Sequence, residues 1–172
     1  MKLMTHFNRL AIFCLPMLLC ISHNANADRG TALPDHVPAV YVQECASCHI
    51  AYPPGMLNPS SWQRIMGGLS KHYGTDAALE SKPLQSISSW LNANAGTYKR
   101  VTEAPPEDRI TKSPWFERKH RKIESSVWKL PSVKSAANCS ACHRQAESGH
   151  FSDHDLVIPA GVLASLQRAW RD

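Results

Sequence analysis

The sequence predicts a mainly α protein, folded as two small helical domains with extensive irregular loops. Three observations carry that reading. Apolar residues recur at helical spacing in several short stretches and show no sustained alternation. Twelve prolines and eight glycines interrupt the 172 residues and keep each helical stretch short. A five-residue pattern occurs twice, as Cys45-Ala46-Ser47-Cys48-His49 and as Cys139-Ser140-Ala141-Cys142-His143, so that each half of the chain has its own organising motif.

Residues 1–27 read as a signal peptide. Lys2 and Arg9 give a positive start, Leu10 to Ile21 is an apolar run broken by Pro16, and Ala25-Asn26-Ala27 has the small-x-small form of a cleavage site, with cleavage expected after Ala27. The run is short for a bilayer span, so no stable membrane insertion is expected once it is removed, and the mature chain is expected in the periplasm. Cys14 and Cys20 leave with the leader. The remaining four cysteines all lie in the repeated motif. Losing Lys2 and Arg9 lowers the net charge from +5 to +3, with 17 basic residues against 14 acidic. The basic residues are scattered and no nucleic-acid reader motif is present, so no nucleic-acid partner is expected.

Two cysteines three apart, followed at once by histidine, form the attachment signal for c-type haem. The thiols add to the two haem vinyl groups, and the adjacent imidazole is placed to ligate the iron. A four-thiolate zinc site from the two Cys-x-x-Cys pairs would leave both histidines without a role, as would a pair of disulfides. The reading is therefore of two covalently bound haem c groups in cytochrome c-like domains. Cys45, Cys48, Cys139 and Cys142 are the attachment residues, and His49 and His143 each supply one axial ligand.

The elements follow in order. Asp28 to Pro38 reads as an irregular arm, after which Val37, Val40, Tyr41 and Glu44 lead into the first motif as a short helix. That helix would set Cys45, Cys48 and His49 on one face and end at Tyr52-Pro53-Pro54-Gly55. Asn58-Pro59-Ser60-Ser61 is a helix start with a serine cap. Trp62, Ile65, Met66 and Leu69 then form an apolar face, which His72 extends just before Gly74 as terminator. A further helix is expected from Pro83 to Ala95, with Gly96 after it.

The stretch from Tyr98 to Lys112 is polar and aperiodic. Residues 28–100 are accordingly taken as the N-terminal haem domain, 101–112 as a linker and 113–172 as the C-terminal haem domain. Ser113-Pro114 starts a basic helix whose inward face carries Phe116, His120 and Ile123. Arg118, Lys119, Arg121 and Lys122 read as its solvated face. Val162, Leu163, Leu166, Ala169 and Trp170 describe a final amphipathic helix.

The ligand opposite each motif histidine decides what the iron can do, since methionine, histidine or an empty position set different potentials and reactivities. For the first haem the candidates are Met56, Met66 and His72, of which the helix-face argument favours His72. For the second they are His120, His150 and His154. His120 lies 23 residues before His143, matching the 23 from His49 to His72, and it sits on a helix face; periodicity does not exclude the other two.

Several blocks together resemble the small soluble dihaem cytochrome c family of purple and related bacteria. They are Glu44 to His49 with Ala51-Tyr52-Pro53-Pro54-Gly55; Ser61-Trp62 through Met66, Leu69, His72, Tyr73 and Gly74; Pro114-Trp115-Phe116 with Arg118, His120 and Arg121; and Cys139 to His143 with Gly149, Phe151 and Ser152. The resemblance implies two bis-histidine haems with His72 and His120 as the second ligands. It also implies electron transfer from a membrane cytochrome b to a small oxygen-binding cytochrome c, with no catalytic residues. The competing class is an enzyme, a dihaem peroxidase or small haem reductase with one open iron. Nothing in the sequence singles out the acid–base residue that class requires.

Overall fold

The computed structural model describes residues 32–96 and 101–170. The leader and its cleavage site lie outside the described residues. Among the described residues the protein is helical with no strand, and most helical pieces are single 3₁₀ turns. None of these helices is long and apolar enough to cross a membrane.

Helix α1, Ala39–Cys45, follows Pro38 in extended conformation and buries Tyr41. It stops at the first motif cysteine, so Cys45, Cys48 and His49 do not share a helical face as expected. Residues 46–48 form a turn instead. Pro53 and Pro54 lack the amide hydrogens that a continued helix would need to bond the carbonyls four residues back.

Helix α2, Pro59–Gly67, is capped by Asn58, whose side chain accepts from the Ser61 amide at 2.8 Å. The cap is thus asparagine, one position before the proline, and the expected serine cap lies inside the first turn. Trp62 and Met66 are buried on the inner face. The Trp62 indole donates to the Pro54 carbonyl at 2.7 Å, tying α2 to the proline loop. The helix ends at Gly67, well short of Gly74. Two successive glycines there favour leaving the helix, because glycine loses the most backbone freedom in it. The chain rewinds as a 3₁₀ turn, Leu69–Lys71, with His72 as its cap. Tyr73 and Gly74 then take φ of 50° and 98°, reversing the chain.

Helix α3, Ser81–Asn94, starts two residues earlier than expected and packs across α1 and α2. With Tyr41, Leu57, Trp62 and Met66, its Ile87 and Leu91 form the main core. Gly96 follows because there is no room for a side chain: a Cβ there would collide with the Gly55 carbonyl oxygen and Val101 Cγ2.

Segment 101–112 lies against this unit. Val101 is buried, Thr102 accepts from Asn58 Nδ2 at 3.3 Å, and Tyr73 donates its hydroxyl to the Glu107 carbonyl at 3.0 Å. Helix α4, Pro114–Lys119, is capped by Ser113, as expected, through its hydroxyl and the Phe116 amide. Four 3₁₀ pieces follow: Val127–Lys129, Cys139–Ala141, Ala146–Ser148 and Ala164–Trp170. The last stands where an amphipathic α-helix was expected. Among the described residues the buried cluster it packs on consists of Val127, Val133 and Val162, and a small core offers little of the burial from which helices in proteins draw their stability.

Two substitutions test this packing. Ile87, with no exposed surface, is expected to cost about 2–5 kcal/mol on Ile87→Ala. Gly96→Ala is expected to cost about 1–3 kcal/mol through overpacking. Denaturant midpoints of the purified protein measure both.

Candidate functional site

The first motif and α2 converge on one cavity of about 400 Å³, with Cys45, Cys48, His49 and His72 on its walls among Tyr41, Leu57, Trp62 and Met66. The His49 and His72 rings face each other across it, centroids 6.2 Å apart and planes 31° from parallel. His49 Nδ1 lies 2.6 Å from the Ile50 carbonyl oxygen. An oxygen of that kind only accepts, so Nδ1 is the donor, and in the neutral ring Nε2 then has the lone pair that a metal would take. Burial, then His49 and then Arg109, push the His72 imidazole toward its neutral form, the form that ligates metals. Met66 lines the same cavity but belongs to the packed core, and Met56 lies outside its wall.

The second site repeats the arrangement from different elements. His120 caps the C-terminal end of α4 and His143 closes the second motif; their centroids are also 6.2 Å apart, with the planes 76° to one another. His120 Nδ1 lies 2.9 Å from the Phe116 carbonyl of the preceding turn, which again leaves Nε2 unprotonated. Phe116 stacks on the His120 ring at 3.9 Å, Trp128 leans on it at 5.9 Å, and Phe151 meets His143 edge-on at 5.6 Å. Burial is the largest influence pushing both imidazoles toward neutrality. Among the described residues no ring contact joins His150 or His154 to His143, and the His154 side chain is 94% exposed beside Asp153.

These dimensions suit a metal held between two imidazoles. With metal–nitrogen bonds of about 2 Å on either side, ring centres would stand about 6 Å apart. Among the described residues no disulfide joins Cys45, Cys48, Cys139 or Cys142. Burial, followed by the charge of Glu44, pushes the Cys45 thiol up to about 11, and burial does the same for Cys139. Among the described residues no three His, Cys, Asp or Glu side chains gather as a metal-binding group, so the four-thiolate zinc site has no counterpart. The residues present fit a covalently held haem at each site, gripped at its edge by two thiols and faced on both sides by imidazole.

Sequence reasoning missed several contributors. Tyr52, read only as a helix terminator, stacks on His49 with centroids 4.7 Å apart and planes 26° from parallel. Arg109 lies over the Tyr73 ring at 4.2 Å and lines the first cavity. Asp108 anchors that wall, accepting from Arg64 Nη2 at 2.6 Å and Nε at 2.8 Å. Their separation from α2 by more than forty residues hid this pairing; an aromatic three residues past the motif was the available signal for Tyr52.

Hydrogen bonding from Arg64 holds the Asp108 carboxyl below the usual carboxylate range, outweighing partial burial. A depressed folded-state pKa contributes stability above the unfolded value of about 4 and loses it as pH falls through the folded value. Asp108→Asn is therefore expected to lower the denaturation midpoint at neutral pH, with the difference closing in acid, as a pH series of unfolding curves would show.

Comparison with known proteins places the geometry in a family. Residues 41–151 match the dihaem cytochrome c family. The chain is similar to the crystal structure of DHC purified from Rhodobacter sphaeroides, at 36% identity and TM-score 0.59, over 67% of this chain and 98% of that one. It is also similar to the X-ray structure of the dihaem cytochrome c of Shewanella baltica OS155, at 34% identity and TM-score 0.63, over 72% and 96%. No curated protein matches. Two facing imidazole pairs, each beside an attachment motif, and a match spanning both motifs lead to one conclusion: the chain belongs to the dihaem cytochrome c family and carries two covalently bound haem c groups.

Proposed function

We propose that this dihaem cytochrome is a periplasmic electron carrier with both irons ligated by two histidines, His49 with His72 and His143 with His120. The observation that carries the reading is the recurrence of one dimension, 6.2 Å between facing imidazoles, at two sites built from unrelated elements. Haem iron supplies the chemistry, a one-electron change between ferrous and ferric forms. The protein's residues do the rest. The thiols of Cys45, Cys48, Cys139 and Cys142 fix the group in place, and the Ile50 and Phe116 carbonyls orient His49 and His120. Two histidines holding the iron at each site would keep dioxygen and peroxide from it.

The signal-peptide reading of residues 1–27 supports the periplasmic location, through the basic start, the apolar run and the small-x-small pattern Ala25-Asn26-Ala27. The partners we assign, a membrane cytochrome b as donor and a small oxygen-binding cytochrome c as acceptor, rest on the family resemblance. Such encounters are brief and use small, weakly polar patches. No catalytic residue is assigned.

Low-temperature EPR with near-infrared spectroscopy on the ferric protein is expected to show bis-histidine, low-spin iron at both sites. His72→Ala and His120→Ala are each expected to turn only their own haem high-spin; a variant that leaves both low-spin removes that residue from the ligand set. The reduced protein is expected not to bind carbon monoxide at neutral pH. Rapid peroxide turnover with a reduced donor would instead favour a dihaem peroxidase.

A further inference from the structure

We propose that Tyr52 couples the two haem sites, positioning the second attachment motif against the first axial imidazole and forming a contact route between them. Its ring stacks on His49. Its hydroxyl donates at 2.7 Å to the carbonyl of Ala137, 85 residues further along the chain. That same carbonyl accepts the amide of Cys139 at 3.1 Å, and Cys139 is an attachment residue of the other haem. One ring stack and two hydrogen bonds therefore join the His49 imidazole to the backbone of the second motif.

Tyr52 is itself held in place. Tyr41 donates its hydroxyl to the Tyr52 carbonyl at 2.5 Å, and Pro53 and Pro54 stiffen the chain immediately after it. Trp62 secures the same loop through the Pro54 carbonyl. A tyrosine needed only as an apolar lid over His49 would be served equally by phenylalanine; the hydroxyl's bond to the opposite half of the molecule is what a lid does not require.

In the transfer one iron is oxidised from ferrous to ferric as the other is reduced from ferric to ferrous. No bond forms or breaks, and Tyr52 keeps its proton. The proposal rests on the bis-histidine reading above, and the test separates the two. Tyr52→Phe in the full holoprotein keeps the stack and removes only the link. EPR g-values report ligation, flash photoreduction followed optically reports the rate at which the two haems equilibrate, and pulsed dipolar EPR reports the distance distribution between ferric centres. The expected result is wild-type g-values, equilibration slowed several-fold and a broadened distance distribution, with Tyr52→Leu slower still because the stack is lost as well. A slower rate with an unchanged distribution also supports the proposal, assigning the effect to the route. An equilibration rate equal to wild type in Tyr52→Phe overturns it whatever the distances do. Loss of bis-histidine g-values in the unsubstituted protein would instead refute the ligation reading.

Discussion

The approach of one imidazole to another across a gap wide enough for a metal is the dimension on which the rest of the structure depends. At 6.2 Å between centroids the rings of each pair stand at the separation at which both could bond one ion. Holding two rings there costs side-chain entropy, which the surroundings offset by fixing each ring separately: a carbonyl on Nδ1 of His49 and of His120, an aromatic stacked on each of those rings, and an isolated bridge at His72 and at His143.

Three of the four histidines stand at or just beyond the C-terminal end of a helix or 3₁₀ turn, and His49 lies four residues past the end of α1. His49 follows α1, His72 caps the turn Leu69–Lys71, His120 caps α4 and His143 follows Cys139–Ala141. Such ends have two properties a metal site needs. The backbone is released there, so the ring can be aimed away from the helix axis. At His120 the partly negative end of α4 also offers the Phe116 carbonyl to Nδ1, while at His49 the acceptor is the Ile50 carbonyl, beyond the helix. Where the turn needs a sharper reversal, as at Tyr73-Gly74, residues of positive φ provide it.

The two sites are alike in spacing and unlike in build. The first opens on a cavity walled by α1, α2 and segment 101–112, with ring planes tilted by 31°. The second is clasped by Phe116, Trp128 and Phe151, with planes near perpendicular. Arg64 and Asp108 matter to the first site because they pin the segment that brings Arg109 over Tyr73 and Ile110 to the cavity wall.

How far the sequence could be read depended on the range over which each feature acts. The attachment motifs, the Ser113 cap, the apolar face of α2 and the register of α3 are local, and the residues alone determined them. His72 reaches the same cavity as His49 by a route the helix-face argument did not contain: α2 ends five residues before it and the 3₁₀ turn Leu69–Lys71 delivers the ring. What only the tertiary structure decided was where helices yield: α1 stops at Cys45, α2 stops at Gly67, and the last segment winds as 3₁₀. Propensity sets a weak preference at each of those points, and packing chooses between outcomes of similar energy. The same holds for Tyr52 and Asp108, whose partners Ala137 and Arg64 lie 85 and 44 residues away. No local pattern encodes such a contact; it exists only once the chain has folded around the paired imidazoles.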